Sequence, residues 1–196
     1  MIDKTLNYYN MNAESFAAGT IDVDFKQTQD KFLLKLQMGD YILDFGCGAG
    51  RDTKYFLEYG MKVDAVDGSE KLCRIASKYA GIPVKQMLFQ ELNEYETYHG
   101  IWACSSILHL NKEELKTVFR KMSESLQPGG VIYTSFKYGD FEGERNGRYF
   151  TDFDENSFEE FIRDIPTLNI EEFWITGDVR PGRGEEKWLN IILRKN

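Results

Sequence analysis

The sequence predicts an α/β fold, with one domain built on a doubly wound sheet of mainly parallel strands. Short apolar runs alternate with segments of helical spacing along the middle of the chain, as parallel strands joined by helical crossovers require. A glycine-rich turn separates the first apolar run from the first of these helical segments. The 196 residues suit one hydrophobic core. We therefore expect a single Rossmann-like domain over 1–196, with residues 1–37 as an N-terminal helical lid and residues 38–196 as the core.

Composition and charge argue against several classes of function. The net charge of -8 and the acidic pI disfavour a large phosphate-binding face, because nucleic-acid affinity depends on clustered Lys and Arg. The cysteines form no CxxC pair, so we expect reduced thiols and no metal site. No stretch approaches the roughly 20 apolar residues of a membrane helix, and the start lacks a signal-peptide pattern. We predict a cytoplasmic protein without nucleic-acid or membrane partners.

The elements of the sheet follow one another in a regular order. Apolar positions in residues 1–37 suit one or two short amphipathic helices. The apolar run 41–45 predicts a strand that ends at glycines, and the spacing of aromatic residues predicts a helix over 52–59. By the same criteria, further strands are predicted over 62–67, 84–88, 101–105 and 131–136, and further helices over 70–79 and 112–126.

The remainder of the chain has a different pattern. Residues 137–152 hold glycines among charged and aromatic residues, which predicts a long loop of the kind that often carries function. A helix is predicted near 155–164. Two β-rich runs, 168–176 and 187–193, flank a turn-rich segment and predict an antiparallel hairpin at the edge of the sheet.

The strongest local signal is the run Gly46-Cys47-Gly48-Ala49-Gly50 between the first strand and the helix after it. Ligands of open α/β sheets bind at the carboxyl ends of the strands, where glycine lets a ligand approach the backbone. Asp67 ends the second strand about 20 residues later and can accept hydrogen bonds from both hydroxyls of a ribose. The two features together predict a nucleoside ligand. Capping of the following helix is assigned to Ser69 rather than to Asp67.

The spacing of the glycines separates two kinds of nucleoside ligand. The pattern is GxGxG rather than GxGxxG, and Asp44 precedes it, where a carboxylate is poorly placed beside a pyrophosphate. A carboxylate at that position suits the ammonium group of a methionine moiety. Arg51 at the helix start either pairs with the carboxylate of that moiety or stays exposed in the first turn.

Three segments together resemble the class I S-adenosylmethionine-dependent methyltransferases. They are 42–51 (Ile-Leu-Asp-Phe-Gly-Cys-Gly-Ala-Gly-Arg), 66–69 (Val-Asp-Gly-Ser) and 126–130 (Leu-Gln-Pro-Gly-Gly), in the expected order. The resemblance implies a seven-stranded sheet of order 3-2-1-4-5-7-6 with strand 7 antiparallel. It also implies S-adenosylmethionine as the cofactor and methyl transfer to a small-molecule acceptor.

The resemblance also implies where the cofactor binds. Glu91 is implied to reach the adenine amino group and Leu92 to meet the ring, although Glu91 also fits a solvated acidic loop. The turn after the fourth strand is implied to line the methyl-transfer site. His99 stands where an acid is common in the family and is interpreted as a surface residue. The predicted cofactor-binding set is Asp44, Gly46, Cys47, Gly48, Arg51, Asp67, Gly68, Glu91, Leu92 and Ser105.

A narrower likeness is to bacterial tellurite-resistance methyltransferases. It depends on the sequence Gly48-Ala49-Gly50-Arg51, on the strand that contains Trp102 and on the small size of the chain. This likeness does not by itself identify tellurite as the acceptor.

His109 is the predicted catalytic residue. A histidine titrates near neutrality, and this one follows the fourth strand, so it is the best candidate for a general base. The alternative is that His109 shapes the pocket or positions the substrate without moving a proton.

Arginines in two loops predict an anionic acceptor. Arg148 and Arg180 are favoured as substrate ligands through charge-assisted hydrogen bonds, with Tyr149 beside Arg148. Tyr8, Tyr9 and Phe16 in the N-terminal segment are predicted to close over the sulfonium with their aromatic faces, with ordinary packing as the alternative. Acidic residues flank both loops, so solvated surfaces are the alternative, and no role is assigned to Arg145 or Arg183.

Other functions are weighed against methyl transfer. A noncatalytic cofactor-binding or regulatory module would need the same glycines and Asp67. A nicotinamide-dependent oxidoreductase is suggested by the YxxxK match Tyr133…Lys137, but a predicted strand does not bring those two side chains together. A nucleic-acid base methylase is disfavoured because no Pro-Pro or Pro-Cys pair follows the fourth strand.

Overall fold

A computed structural model describes residues 2–180 and 182–196 of the chain. The helices are α1 (Ile2–Ala18), α2 (Lys26–Leu33), α3 (Arg51–Glu58), α4 (Glu70–Ala80), α5 (Lys112–Ser125) and α6 (Glu155–Ile162). The strands are β1 (Tyr41–Phe45), β2 (Lys62–Asp67), β3 (Val84–Gln86), β4 (Tyr98–Ala103), β5 (Leu126–Lys137), β6 (Glu142–Arg145), β7 (Arg148–Thr151), β8 (Leu168–Gly177) and β9 (Lys187–Lys195). Short 3₁₀ turns follow β3 at Phe89–Glu91 and β4 at Ile107–His109.

Seven of the strands form one sheet in the order β3-β2-β1-β4-β5-β9-β8. The pairs among β1 to β5 are parallel, and β9 runs antiparallel to both β5 and β8. This confirms the predicted α/β sheet, its order and its terminal hairpin. Because the parallel strands end at the same edge, the segments that follow β1, β2 and β4 come together there.

The segment 137–152, predicted as a loop, contains a separate hairpin. β6 and β7 pair antiparallel, with Arg145 opposite Arg148. Asn146 and Gly147 connect them with φ values of 53° and 76°, which is the backbone of a two-residue hairpin turn. An Asn-Gly pair is a strong hairpin signal, so the sequence did contain the evidence for this element.

Helix caps account for the positions of several helix starts. Ser69 accepts a hydrogen bond from the backbone N–H of Leu72, which confirms it as the N-cap of α4. Asn111 caps α5 in the same way, and Glu114 bonds back to the Asn111 N–H to complete a capping box. These caps fix where α4 and α5 begin, near the edge at which the parallel strands end.

The hydrophobic core occupies both faces of the sheet. On one face Trp102 of β4 is fully buried and stacks on Tyr133 of β5, with ring centroids 4.0 Å apart. Phe32 of α2 and Phe56 of α3 pack on the same tryptophan. The second helix of the N-terminal segment is therefore part of the core packing.

The first helix lies over the carboxyl edge of the sheet and packs on α4 and β7. A methyl group on Gly68 would come within 2.6 Å of the Leu6 side chain, so α1 approaches the end of β2 closely. A lid function for residues 1–37 stays a prediction. Within the described part of the chain, no helix combines the length and apolar character needed to cross a bilayer.

Candidate active site

A cavity of about 220 Å³ lies beneath α1 at the carboxyl edge of the parallel strands. Most of the predicted site residues line it: Tyr9, Gly46, Cys47, Gly48, Arg51, Asp67, Gly68, Ser105, His109, Arg148 and Arg180. Four predicted residues do not: Asp44, Glu91, Leu92 and Tyr149. The topology therefore brings the glycine turn, the end of β2 and the turn after β4 to one cavity, together with both favoured arginines.

The glycine turn closes tightly at the end of β1. Gly46 and Cys47 both donate their backbone N–H groups to the Val66 carbonyl, each at 2.9 Å. Gly46 has a φ of 86°, and a β-carbon on it would lie 2.4 Å from the Ser106 β-carbon. A side chain at this position is therefore excluded both by backbone conformation and by space. The turn leaves its backbone accessible from the cavity.

Asp67 faces this turn from the end of β2. One carboxylate oxygen accepts the Gly48 N–H at 2.9 Å, and the other accepts the Ser69 N–H at 2.8 Å. Burial raises the pKa of Asp67 to about 6, although the two N–H donors act in the opposite direction. Each oxygen keeps a second lone pair, so a ligand diol can still donate to the carboxylate.

Asp44 does not line the cavity, contrary to the prediction. Its carboxylate is almost fully buried beneath the turn, where it accepts the Thr53 hydroxyl of α3. Burial raises the pKa of Asp44 well above its usual range, and the nearby Asp52 adds to the effect. Contact between Asp44 and a ligand ammonium is therefore not supported by this geometry.

Asp52 is the carboxylate that lines this side of the cavity. It accepts two hydrogen bonds from the Arg51 guanidinium, at 2.7 and 2.9 Å. The Gln29 amide and the Trp102 indole also donate to it, at 2.7 and 2.8 Å. The Arg51 guanidinium lies over the Phe25 ring, 4.7 Å from its centroid. These contacts hold Arg51 at the cavity wall rather than in solvent.

After β3, Gln90 lines the cavity, one position before the predicted Glu91. Leu88, Phe89 and Gln90 line the cavity, whereas Glu91 is exposed and accepts the Leu88 N–H at 2.7 Å. Leu92 is fully buried in the core. The 3₁₀ turn causes the difference, because it directs the Glu91 carboxylate back to the start of its own turn. The Gln90 Nε2 is buried and has no hydrogen-bond partner among the described residues, and Gln90 is one of the residues that line the cavity.

The end of β4 has an unusual backbone. Ser105 has a φ of 51°, which is uncommon for a residue with a side chain. Its N–H donates to the Ser135 hydroxyl of β5 at 2.9 Å, and its own hydroxyl lies 3.2 Å from the same oxygen. This conformation places the Ser105 backbone at the cavity. Residues held in such conformations concentrate at functional sites.

His109 is held at the cavity by two hydrogen bonds. Its Nδ1 lies 2.6 Å from the Tyr149 carbonyl oxygen, and its Nε2 lies 2.8 Å from the Tyr9 hydroxyl. Burial lowers the pKa of His109 to about 4, with smaller contributions from Arg148 and Arg145, so the ring is neutral at neutral pH. Both ring nitrogens are therefore occupied while α1 covers the site.

Arg148 lines the cavity without a carboxylate partner in the described part of the chain. Its guanidinium lies 4.4 Å from the Tyr8 ring centroid, and it donates from Nη1 to the Tyr9 hydroxyl at 3.4 Å. Its Nε is buried and makes no hydrogen bond to the described residues. Arg148 thus places at the cavity a positive charge that no carboxylate of the described residues neutralises.

Tyr149 points away from the cavity, which corrects its predicted role as a substrate ligand. Its hydroxyl donates to Glu142 across the hairpin at 3.1 Å, and only its backbone carbonyl reaches His109. Successive side chains of a strand face opposite sides, so Arg148 and Phe150 line the cavity while Tyr149 does not.

Arg180 lines the cavity but is committed to a carboxylate. Its side chain binds both oxygens of Asp178, which is nearly fully buried and also accepts the Trp188 indole N–H at 3.2 Å. Arg183 pairs with Glu186 in a similar way. The arginines of the β8–β9 loop are therefore neutralised by carboxylates of the same loop, whereas Arg148 has no such partner among the described residues.

Several cavity residues were not predicted from the sequence. They include Phe25, Asp52, Gln90, Ser135 and Trp188. Asp52 and Gln90 are adjacent to predicted residues, and the signal for them was their proximity to the glycine turn and to β3. Ser135 and Trp188 are distant in sequence and meet the cavity only because β5 and β9 pair with the parallel strands.

Comparison with known proteins yields matches to about half of the chain. Residues 42–130 match the model of a family described as methyltransferase domain. An uncharacterized protein of Methanocaldococcus jannaschii is 32% identical over 114 residues, which are 54% of this chain and 30% of that protein. The alpha N-terminal protein methyltransferase 1 of Caenorhabditis elegans is 33% identical over 100 residues, 47% of this chain and 43% of that protein. The chain thus spans less than half the length of these curated relatives.

Similar structures extend the match to nearly the whole chain. The 1,6-didemethyltoxoflavin-N1-methyltransferase of Burkholderia thailandensis, solved with 1,6-didemethyltoxoflavin and S-adenosylhomocysteine, superposes with a TM-score of 0.77. The alignment covers 97% of this chain and 85% of that protein at 22% identity. At this level of identity the likeness shows that the two proteins share a fold.

Proposed function

We propose that this chain is an S-adenosylmethionine-dependent methyltransferase that acts on a small acceptor with an anionic group. One observation carries the proposal: the Asp67 carboxylate, held against the glycine turn, and the uncompensated Arg148 guanidinium line the same cavity. The first suits a nucleoside cofactor and the second suits an anion. The family match over 42–130 and the cofactor product bound in a protein of the same fold support the proposal.

The cavity residues fit the cofactor. Asp67 offers free lone pairs to the ribose hydroxyls, and the glycine turn admits the ligand to the backbone. Gln90, rather than Glu91, offers a buried donor that would bond a ring nitrogen of adenine, between the apolar side chains of Leu88 and Phe89. Arg51 lies at the cavity wall, but Asp52 occupies its Nε and Nη2 donors, so only Nη1 would be left to face the methionine carboxylate.

The protein's own task in the reaction is mainly alignment. When bound, S-adenosylmethionine supplies a methyl group that is already activated on a positively charged sulfur. Ser105 and its neighbours position the acceptor at the end of β4, while α1 excludes water from above. The aromatic rings of Tyr9 and Phe16, in edge contact with a centroid distance of 5.3 Å, form the apolar cover of the cavity.

The acceptor is proposed to bind at the Arg148 end of the cavity. A guanidinium stays charged at all relevant pH values and binds carboxylates or other oxyanions through paired N–H donors. Arg180 contributes less, because Asp178 already occupies its donors. Tellurite is one oxyanion of this class and belongs in an acceptor screen, as do aromatic carboxylates. We place the reaction in the cytoplasm, as the sequence predicts.

A direct experiment tests the proposal. Purified protein is incubated with S-adenosylmethionine and panels of anionic, neutral and cationic acceptors, and methylated products are detected by mass spectrometry. Methylation of anionic acceptors, weakened by Arg148→Ala, is the expected result. Methylation of neutral acceptors alone, with kinetics indifferent to that change, would remove the anionic assignment and leave the methyltransferase assignment intact.

The noncatalytic alternative and the oxidoreductase alternative give different results. A regulatory module would bind S-adenosylmethionine in calorimetry and yield no product with any acceptor. An oxidoreductase would prefer a nicotinamide dinucleotide. The Tyr133…Lys137 pair does not support the latter, because Tyr133 is buried against Trp102 and donates to Asn190 at 2.7 Å.

A further inference from the structure

A chain of hydrogen bonds beneath α1 has a fixed direction. A backbone carbonyl oxygen only accepts, so the Tyr149 oxygen requires a proton on His109 Nδ1, 2.6 Å away. In the neutral ring the other nitrogen, Nε2, is then bare and accepts the Tyr9 hydroxyl proton over 2.8 Å. The hairpin backbone thus determines which way the Tyr9 O–H bond points.

This direction leaves the Tyr9 oxygen as an acceptor toward the cavity. Its proton is committed to His109, and one of its lone pairs receives the long bond from Arg148 Nη1 at 3.4 Å. The remaining lone pair can accept a proton from a ligand. Arg148 beside it provides the positive charge that would stabilise a developing phenolate.

We propose that Tyr9 is the catalytic residue that takes the proton from the methyl acceptor, and that His109 acts through Tyr9 as a positioning residue and final proton holder. The proposal rests on the proposed function. It names the acceptor more narrowly, as a molecule that carries an anionic group for Arg148 and a proton-bearing nucleophile, an N–H or O–H group, for Tyr9.

The step balances without a further reactant. The bond between the acceptor atom and its hydrogen breaks, and the electron pair stays on that atom to form the bond to the methyl carbon. The acceptor proton goes to Tyr9 Oη while the original Tyr9 proton goes to His109 Nε2. The methyl donor keeps the electron pair of its broken bond and loses its positive charge, so the new imidazolium restores the charge of the site.

The surroundings of the pair oppose this step in the resting protein: burial raises the pKa of Tyr9, and burial with the charges of Arg148 and Arg145 disfavours a proton on both nitrogens of His109. His109 faces Arg145 and Arg148, and Tyr9 faces Arg148, Tyr8 and Asp67. Burial keeps the pKa of His109 low, at about 4, which makes the bare Nε2 available at neutral pH. Loss of the donor's positive charge during the transfer removes one repulsion and favours the imidazolium.

The first test needs neither cofactor nor acceptor. The chain has only two histidines, His99 and His109, so ¹⁵N-edited NMR can follow each ring separately. We expect His109 as the neutral Nδ1–H tautomer down to about pH 5, and Tyr9→Phe to shift its Nε2 resonance. Observation of a proton on Nε2 of neutral His109 would overturn the relay, whatever the activity of the protein.

The second test measures turnover. Tyr9→Phe keeps the ring against Phe16 and removes only the hydroxyl, so it should lower kcat about 100-fold or more, as expected for loss of a general base. It should also abolish the solvent deuterium isotope effect and leave S-adenosylhomocysteine binding unchanged. His109→Gln should lower kcat similarly, and the double variant should lose little more. Tyr95→Phe and His99→Gln are matched controls at distant positions and should keep wild-type turnover.

The outcomes separate the two proposals. If the wild-type chain methylates no acceptor while the NMR result holds, the proposed function fails and the hydrogen-bond direction stands. If it methylates an N–H or O–H acceptor and Tyr9→Phe keeps wild-type kcat, the relay fails and the methyltransferase assignment stands. With an acceptor whose nucleophilic atom is already deprotonated, Tyr9→Phe should leave kcat unchanged. If kcat falls as much with this acceptor as with an N–H or O–H acceptor, the proposed proton transfer to Tyr9 is wrong.

Discussion

The carboxylate of Asp67 accepts the backbone N–H of Gly48 at 2.9 Å, so the acidic residue that ends β2 fixes the glycine turn that follows β1. The second carboxylate oxygen binds the Ser69 N–H at the start of α4. One side chain therefore joins three segments of the cofactor cavity. This dual role of shaping the turn and presenting lone pairs to a ligand leads to the first two predictions.

Replacement of Asp67 should weaken cofactor binding. Asp67→Ala removes the acceptor for the ribose hydroxyls and leaves the Gly48 and Ser69 N–H groups without their partner, which should cost about 1–3 kcal/mol of binding free energy. Calorimetric titration with S-adenosylhomocysteine measures the loss. Glu70→Gln, at an exposed carboxylate three residues along the chain, is the control and should bind normally. Wild-type affinity in Asp67→Ala would remove Asp67 from the cofactor site.

Cofactor affinity should also depend on pH through Asp67. Burial raises the pKa of this carboxyl to about 6, so the accepting carboxylate is present above that pH and is lost by protonation below it. Binding of S-adenosylhomocysteine should therefore be stronger at pH 8 than at pH 5. The same titrations on Asp67→Ala should lack this dependence. A wild-type affinity that is constant over this range would contradict the assignment.

Two glycines with nearly the same φ separate backbone strain from lack of space. Gly46 and Gly39 have φ values of 86° and 88°, but only at Gly46 would a β-carbon meet another atom, 2.4 Å away on Ser106, whereas nothing lies within 4 Å at Gly39. Both alanine variants should lose about 1–2 kcal/mol of unfolding free energy because of the left-handed backbone. Gly46→Ala should lose about 1–3 kcal/mol more through overpacking, and cofactor binding with it. Urea unfolding measures the loss of stability, and calorimetry measures cofactor binding. Equal losses of unfolding free energy in Gly46→Ala and Gly39→Ala would contradict the role assigned to lack of space.

Arg148 should control affinity for the acceptor. Arg148→Ala should raise the acceptor KM about 10- to 100-fold, the range expected for loss of a charge-assisted hydrogen bond, and leave cofactor binding unchanged. Arg148→Lys should recover part of the loss. Arg145→Lys is a matched control, because Arg145 is the hairpin partner of Arg148 but pairs with Asp152 outside the cavity. A neutral acceptor whose KM is unchanged by Arg148→Ala and by Arg148→Lys would point instead to the aromatic side chains that line the cavity, such as Phe16 and Phe150.

Arg180 should matter more for stability than for the acceptor. Arg180→Ala leaves the buried Asp178 with only weaker partners, so it should cost about 1–3 kcal/mol of unfolding free energy at neutral pH and change KM little. Arg180 helps to hold the pKa of Asp178 below its usual range, although burial opposes this. A carboxyl group with a lower pKa in the folded protein than in the unfolded chain stabilises the fold at pH values above its unfolded-state pKa. This stabilisation is lost on acidification. The difference in unfolding free energy between the wild type and Arg180→Ala should therefore become smaller toward pH 3. A difference that does not change with pH would contradict the charge pairing.

The parts of the fold that could be predicted depend on local patterns. The glycine turn, the acid at the end of β2 and the alternation of strands and helices are each contained within a few consecutive residues, and the parallel topology then brings their ends together. The terminal hairpin was predictable for the same reason. Arg148 and Arg180 reached the cavity as expected, but the sequence could not show that Asp178 already binds one of them.

The errors arose where the direction of a side chain decides the contact. Residues 137–152 were predicted as a loop, in which side chains need not alternate between two faces as they do in a strand. Tyr149, whose side chain points away from the cavity, was therefore grouped with Arg148, whose side chain faces it. After β3, a 3₁₀ turn directed Glu91 back to its own backbone and left Gln90 in the cavity. Asp44 was placed at the right end of β1 but faces Thr53 below the turn.

The short connection at Asn146 and Gly147 has a consequence for how such a protein could change its acceptor. Because the side chains of β7 alternate between the cavity and the outside, a single inserted residue that shifted β7 by one position would bring Tyr149 inward and carry Arg148 outward. The cavity would exchange a cation for a phenol without any substitution. Turn length in this hairpin is therefore a route by which descendants of one scaffold can diverge in substrate preference.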